Sequence, residues 1–348
     1  WILLLGRCNM DKKDVILQVK DLKTEFKVSK RTVHAVNGVS FDLQRGKTLC
    51  IVGESGCGKS VTAHSIAQLL PPNGYIAGGT ISYYLEDDVC KVLSSYKRTG
   101  HDIRSIRGKE IAMIFQDPMS TLNPVYTVGS QIMEMLKSHE KWIDKKEAKA
   151  RIIKLLGDLG IPNPEIRYDQ YPHEFSGGMK QRIMIAIAMI CNPTILIADE
   201  PTTALDVTIQ AQILELIGQM QKDHGTSVIL ITHNMGIVAE IADDVAVMYM
   251  GHIVEFGSLK QVFTNPTHPY TKALMRSVPV LGMDKEHELD TIEGSTPDAS
   301  TEFHGCEFAN RCEYATASCF SRFPKDTYVE DGHRVRCLLF EEGEANAK

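Results

Sequence analysis

The stretch Gly53-Glu54-Ser55-Gly56-Cys57-Gly58-Lys59-Ser60 constrains this chain more than any other. It fits the pattern G-x-x-x-x-G-K-[ST], in which glycines let backbone N–H groups turn inward around a phosphate. Lys59 would add a point charge at the β/γ-phosphates, and the Ser60 hydroxyl would ligate Mg²⁺. The short apolar run Leu49–Val52 precedes the loop, and helical spacing over Ser60–Leu70 follows it, stopped by Pro71-Pro72. A helix placed there aims its positive end at the same anion. A strand, loop and helix in that order belong to an α/β sheet, so most other fold classes are already excluded.

The remaining periodicity agrees. Val15–Val19 and Val39–Leu43 alternate as half-buried strands of an antiparallel layer. Ile111–Phe115 and Thr194–Ala198 read as short buried strands, and Val228–Ile231 and Val245–Met250 as two more. Helical spacing marks Lys180–Cys191, Thr208–Asp223 and Met235–Ala242. Such alternation predicts a largely parallel sheet covered on both faces. It is interrupted by residues 128–159, which are helical throughout, so a helical subdomain is expected over about 117–185. The polar stretch 284–305 reads as a linker, followed by a cysteine-rich end.

Bulk properties remove several function classes. A net charge of −6 gives no reason to expect a nucleic-acid partner, which usually needs a basic face, though it leaves room for a local basic patch. The longest apolar run, Ile183–Cys191, has nine residues, where a membrane-spanning helix needs about 20. Residues 1–10 (WILLLGRCNM) lack the charge order of an export signal, since Arg7 follows the apolar part, and Arg7 also argues against lipid attachment at Cys8. They read as a disordered or extraneous extension with Met10 as the start, and the absence of a signal predicts the cytosol. There, nine cysteines are expected as reduced thiols.

The strand Ile195-Leu196-Ile197-Ala198-Asp199-Glu200 ends in two carboxylates. At a sheet's C-terminal edge Asp199 can hold the Mg²⁺ shell while Glu200 polarises a water against the γ-phosphate. With the phosphate loop, this pair resembles the ABC ATPase family, and the order of the further motifs makes the likeness specific over residues 15–257. Gln116 in IFQDP matches the Q-loop glutamine, which senses Mg²⁺ and the attacking water. Phe175-Ser176-Gly177-Gly178-Met179 matches the signature usually written LSGGQ, departing from it at Phe175 and Met179. Thr203-Ala204-Leu205-Asp206 matches the D-loop, and His233 the switch histidine at the γ-phosphate. Phe26 is the candidate for stacking on adenine. The resemblance implies an ABC-type P-loop NTPase fold: a RecA-like mixed sheet, an antiparallel β layer and an inserted α-helical subdomain. It also implies that Ser176, Gly177 and Gly178 complete the ATP site of an opposing subunit.

Three features resemble one branch, the D-type ATPase subunit of oligopeptide/dipeptide importers, which also serves nickel systems. They are Gln116–Pro124 (QDPMSTLNP), Asn265–Leu274 (NPTHPYTKAL) and the pattern from Gly305 to Cys337. The implied partners are a homologous second ATPase in a heterodimer, two membrane permeases and, indirectly, an extracytoplasmic binding protein. The chain would then sit at the cytoplasmic face of the cell membrane and hydrolyse MgATP to power peptide import. Expected boundaries are 11–257 for the nucleotide-binding domain and 258–348 for the extension. The spacing C-x5-C-x6-C-x17-C of Cys306, Cys312, Cys319 and Cys337 is not the paired pattern of a zinc ribbon. Four thiolates suit zinc or an iron–sulfur cluster alike, and the resemblance implies a [4Fe–4S] cluster. Competing functions are a soluble ABC ATPase acting on nucleic acid or the ribosome, import of nickel or other small cargo, and an iron–sulfur sensor that gates the ATPase.

Overall fold

The computed structural model describes residues 14–29, 31–85, 89–203, 206–277, 292, 294–298 and 301–341. Residues 1–10, Ala204 and Leu205 of the D-loop match, and half of the expected linker lie outside them. The chain falls into two compact units, one of residues 1–43, 47–95 and 231–348, the other of 44–46 and 96–230.

In the first unit, Val15–Val28 pairs antiparallel with Gly74–Tyr84, from Leu17 opposite Tyr83 to Phe26 opposite Gly74. Arg31–Gln44 and Cys90–Val92 flank the pair to give a four-stranded layer. The register slips between Lys20 and Thr24, where Asp21 has φ 49°. Gly79 faces this bulge, and a Cβ there would lie 2.2 Å from the Asp21 carbonyl oxygen, so only glycine fits. Both expected strands of this layer are present, longer than their alternating cores.

A second set of strands in this unit begins with Thr48–Val52, buried throughout. It runs parallel to Asp244–Tyr249, which turns back antiparallel into His252–Ser258. Met250 and Gly251 join these two with φ of 44° and 80°, as a two-residue primed turn requires. The order then leaves the nucleotide-loop region of the sequence altogether. His333–Arg336 pairs with His252–Ser258, and Asp326–Glu330 with His333–Arg336 through the turn at Asp331-Gly332. The cysteine-rich end therefore supplies two strands of the same sheet.

A buried carboxylate ties these pieces together. Glu255 and His333 are both fully buried, and Glu255 pairs with His333 Nε2 at 2.8 Å. It also accepts the Thr267 and His268 N–H groups at 2.8 Å each. With its oxygens satisfied, this charge stays buried at tolerable cost, where a lone carboxylate would not. His268 then caps helix Pro269–Arg276 by accepting the Tyr270 N–H through Nδ1, with Pro269 in the first turn. Burial drives the His268 imidazole down to about 3, so it stays neutral and can accept.

In the second unit, Ile111–Ile114 and Ile195–Asp199 run parallel, Ile111 opposite Ile195 and Ile114 opposite Ala198. Apart from Asp199 at the end of the second, both are apolar throughout, as fits strands covered on both faces. The helical stretch resolves into Val128–His139 and Lys145–Asp158, which pack on each other and on Gly177–Met189. Val128, Ile132 and Leu136 line one buried stripe, and Ala148, Ile152 and Leu156 another, each at a spacing of four. The single helical run expected over 128–159 breaks because Asp144 caps a new start, accepting the Lys146 and Glu147 N–H groups. Gly129 lets the helix approach Tyr168, whose ring would sit 2.4 Å from a Cβ there. Helix Val207–His224 is capped by Asp206 and ends at Gly225 with φ 67°.

Candidate functional site

The first unit builds the phosphate loop. Gly53, Gly56 and Gly58 take φ of 151°, 81° and 102°, which side chains rarely allow. A Cβ on Gly53 would lie 2.2 Å from the Met248 carbonyl oxygen, and one on Gly58 2.5 Å from that of Ala35. Gly58 starts helix Lys59–Ile66, shorter than the sequence pattern suggests because Gln68 turns left-handed at φ 56°. Lys59 is buried, with Nζ donating to the Gly53 and Glu54 carbonyl oxygens at 2.8 Å each. Ser60 opens the same helix. The loop thus holds one cation at the N-terminus of a helix, an arrangement suited to an anion.

Glu54 is the residue in this loop that sequence reasoning gave no separate role. Its N–H donates to the Tyr270 hydroxyl at 2.8 Å. Its carboxylate accepts from Arg311 through both terminal nitrogens, at 2.6 and 3.0 Å, and from Thr296 at 3.0 Å. Burial alone would raise the Glu54 carboxyl, but the Arg311 pair outweighs it and holds the group below the usual range.

The second unit brings together two more of the polar residues expected at the phosphates, Gln116 and Glu200. Gln116 Nε2 donates to the Glu200 carboxylate at 2.9 Å, and Thr203 Oγ1 donates to it at 3.0 Å. Glu200 has φ 45°, an unfavourable backbone for a side chain of its size, so the strand end is strained where its carboxylate is aimed. Asp199 beside it is buried at the end of Ile195–Asp199. His233 follows strand Ser227–Thr232 and is exposed.

The signature residues begin helix Gly177–Met189. Ser176 caps it by accepting the Met179 N–H, and both Ser176 and Gly177 are exposed. Gly178 is needed against Ile209, whose methyl would be 2.9 Å from a Cβ. The departure at Phe175 is accommodated: its ring is buried, with the Arg167 guanidinium 5.4 Å from its centre. Asp206 accepts the Ile209 N–H at 2.9 Å as a helix cap. Phe26 lies against Gly74 on the paired strand, its ring 2.7 Å from where a Cβ would stand.

The four C-terminal cysteines share one small region. Cys319, Ala309 and Leu338 form a buried cluster against which Cys306 packs. Burial raises the Cys306 thiol to about 11 and the Cys337 thiol to about 12. Backbone N–H groups two residues on, at Phe308, Tyr314 and Leu339, lie against the Cys306, Cys312 and Cys337 sulfurs and favour thiolate. Among the described residues, no group of three or more His, Cys, Asp or Glu side chains is arranged to hold a metal ion, so the expected cluster finds no support there. The expectation of thiols throughout is corrected at Cys90, which is disulfide-bonded, while the other described cysteines are free. Among the described residues, no helix is long and apolar enough to cross a membrane.

Comparison with known proteins matches residues 36–203 to the ABC transporter family model and residues 254–319 to the oligopeptide/dipeptide transporter C-terminal region. A dipeptide transport ATP-binding protein, DppD, of Bacillus subtilis (strain 168) is 50% identical over 93% of this chain and 94% of its own length. An oligopeptide transport ATP-binding protein, OppD, of the same organism is 50% identical over 93% of this chain and 88% of its own length. Among solved structures, a dimeric ATP-binding cassette in a post-hydrolysis state with ADP and Pi aligns with a TM-score of 0.61. That match has 22% identity and covers 70% of this chain and 99% of the other, so it supports the mixed α/β cassette fold alone.

Proposed function

The chain belongs to the ABC transporter ATP-binding family, and from that premise we propose that it is the ATP-hydrolysing subunit of a di- or oligopeptide importer. The observation that carries the ATPase reading is the loop Gly53–Ser60, in which Gly53, Gly56 and Gly58 hold backbone conformations that favour glycine and Lys59 Nζ lies against the loop carbonyl oxygens. The first unit offers Lys59 and the loop N–H groups to the β/γ-phosphates, and the Ser60 hydroxyl to Mg²⁺. In the second unit, Asp199 and Gln116 are the residues that would hold Mg²⁺, and Glu200 is the base that would polarise water. Held by these residues, Mg²⁺ would neutralise charge developing on the transferred phosphoryl group. His233 contacts the γ-phosphate, and Phe26 stacks on adenine. Exposed Ser176 and Gly177, with Gly178 and Asp206, complete the site of a partner ATPase, so two subunits close on two nucleotides.

The peptide cargo rests on the two Bacillus relatives and on the C-terminal match. Permeases and an extracytoplasmic binding protein are the further partners of this reading, which places the chain at the cytoplasmic face of the membrane. The nucleotide-binding domain spans 11–257 with its helical subdomain near 117–185, and the extension spans 258–348. A [4Fe–4S] cluster on Cys306, Cys312, Cys319 and Cys337, with zinc as the alternative, is supported by the four thiols' shared location and the N–H groups beside three of them. Counting iron, sulfide and zinc per chain in protein purified without oxygen tests it, and a metal-free protein would sink it.

Lys59→Ala tests the function. Affinity for MgATP should fall by about tenfold to a hundredfold, as expected for a lost charge-assisted contact. Cells carrying this variant in place of the wild-type chain should lose uptake of a labelled dipeptide. Unchanged uptake would remove the peptide reading while leaving the ATPase reading to the binding assay.

A further inference from the structure

A phosphate loop is built to attract anions, so a carboxylate inside it needs an explanation. Glu54 directly follows the first glycine, and its charge is close enough to Lys59 to interact with it. Left alone it would oppose the phosphates and compete for the Lys59 ammonium. The structure meets this with a residue 257 positions away, Arg311, whose guanidinium grips both Glu54 oxygens. Such a bidentate fork fixes the carboxylate's direction as well as cancelling its charge.

Arg311 is itself held firmly. Its side chain is only 5% exposed, against 25% for Glu54. It donates to the Gly294 carbonyl oxygen at 3.3 Å and to the Tyr249 hydroxyl at 3.4 Å. The Tyr249 and Phe308 rings lie 5.9 and 6.0 Å from the guanidinium carbon. Tyr249, Tyr270 and Phe308 form one aromatic cluster, and the Tyr270 hydroxyl takes the Glu54 N–H. Arg311 and Phe308 both stand between Cys306 and Cys312, on and beside the short turn Ala309–Arg311. The C-terminal segment therefore holds the opening turn of the phosphate loop by both its backbone and its side chain.

We propose that Arg311 is a positioning residue for the ATP site: it cancels the Glu54 charge and fixes the loop's first turn, making nucleotide affinity depend on the C-terminal segment. The proposal rests on the reading of Gly53–Ser60 as an ATP site. A charge effect and a merely structural one part company in a double substitution. Removing Arg311 leaves Glu54 opposing the phosphates, and neutralising Glu54 in that background removes the opposition.

The test is binding of a non-hydrolysable ATP analogue with Mg²⁺ to the full chain. Arg311→Ala should bind about tenfold more weakly, the scale of one charged hydrogen bond. The pair Glu54→Gln with Arg311→Ala should return to within about threefold of wild type. Arg311→Ala binding like wild type overturns the proposal, and so does a double variant as weak as Arg311→Ala alone. Should Arg311→Ala fail to fold, Glu54→Gln alone decides. It leaves the Arg311 charge facing the phosphates, so affinity should rise by about threefold, and an unchanged or weaker affinity overturns the proposal. A wild-type chain that does not bind the analogue would instead overturn the ATP-site reading itself.

Discussion

Glu54 and Glu200 both stand just past a buried strand, each in its own unit, and their surroundings differ in kind. Glu54 is paired with a guanidinium through two bonds, capped by Thr296, and tethered at its N–H by Tyr270. Glu200 is held by the neutral groups of Gln116 and Thr203 on a strained backbone at φ 45°. The first arrangement cancels a charge with a guanidinium; the second holds a carboxylate in one direction through two neutral donors. Strain at Glu200 is tolerated because it sets direction, while at Glu54 the glycines of the loop absorb the strain and the acid only has to be neutralised. The comparison teaches that a carboxylate beside phosphates can serve structure or chemistry, and that its partners tell which.

The largest effect should separate the two at once. Glu200→Gln should lower steady-state MgATP turnover by about a hundredfold or more, the worth of a general base, while leaving nucleotide binding in place. Glu54→Gln should leave turnover per bound nucleotide near wild type. Comparable kcat losses in both variants would erase the distinction. Next in size, Gln116→Ala and Thr203→Val each remove one bond to the Glu200 carboxylate. Each should reduce kcat by about tenfold, with KM changed less. A change confined to KM would show that these groups bind nucleotide and do not orient the base.

Much of this was legible in the sequence, for a physical reason. The phosphate loop, the Asp199-Glu200 strand end and the Ser176–Gly178 cap each depend on neighbours within a few residues, so local spacing encodes them. Helix ends were less legible. Ser60–Leu70 became Lys59–Ile66 because the left-handed turn at Gln68 acts before the prolines do. The helical run over 128–159 divides at Asp144, a cap that hydrophobic periodicity does not weigh. What sequence reading could not reach were the long-range ties. Glu255 meets His333 across 78 positions and Glu54 meets Arg311 across 257, and no local pattern marks a buried charge as paired. A weak signal existed for Tyr270, which lies inside the NPTHPYTKAL segment already singled out, though nothing there pointed to the Glu54 N–H. The cysteine spacing likewise gave ligand types without the arrangement of the sulfurs.

The smallest effect concerns what braces Glu54. Tyr270 stands in the first turn of a helix capped by His268, which must be neutral to accept the Tyr270 N–H. His268 is depressed by burial, and then by the Arg336 charge, to about 3, with Glu307 acting in the opposite sense. Above the ordinary imidazole value of about 6.5, folded and unfolded chains are both neutral here and the cap contributes fully. As pH falls below that value the unfolded chain takes up the proton first, so stability declines steadily until the folded value near 3 is passed. Glu307 adds to the same trend lower down: burial would raise it, but His252 and Arg336 hold it at about 2, so its contribution fades from about 4.5 towards 2. His268→Asn keeps a capping acceptor without a titrating group. Its urea midpoint should therefore fall less steeply than wild type between pH 6.5 and 4, with the slopes alike above pH 7. Because the unit carrying Glu54 contains this histidine and the unit carrying Glu200 does not, hydrogen exchange should show acid loosening first around Tyr270 and Glu54. Equal loosening around Gln116 and Glu200 at the same pH would mean that the two carboxylates are not stabilised independently, and the contrast between them would have to be given up.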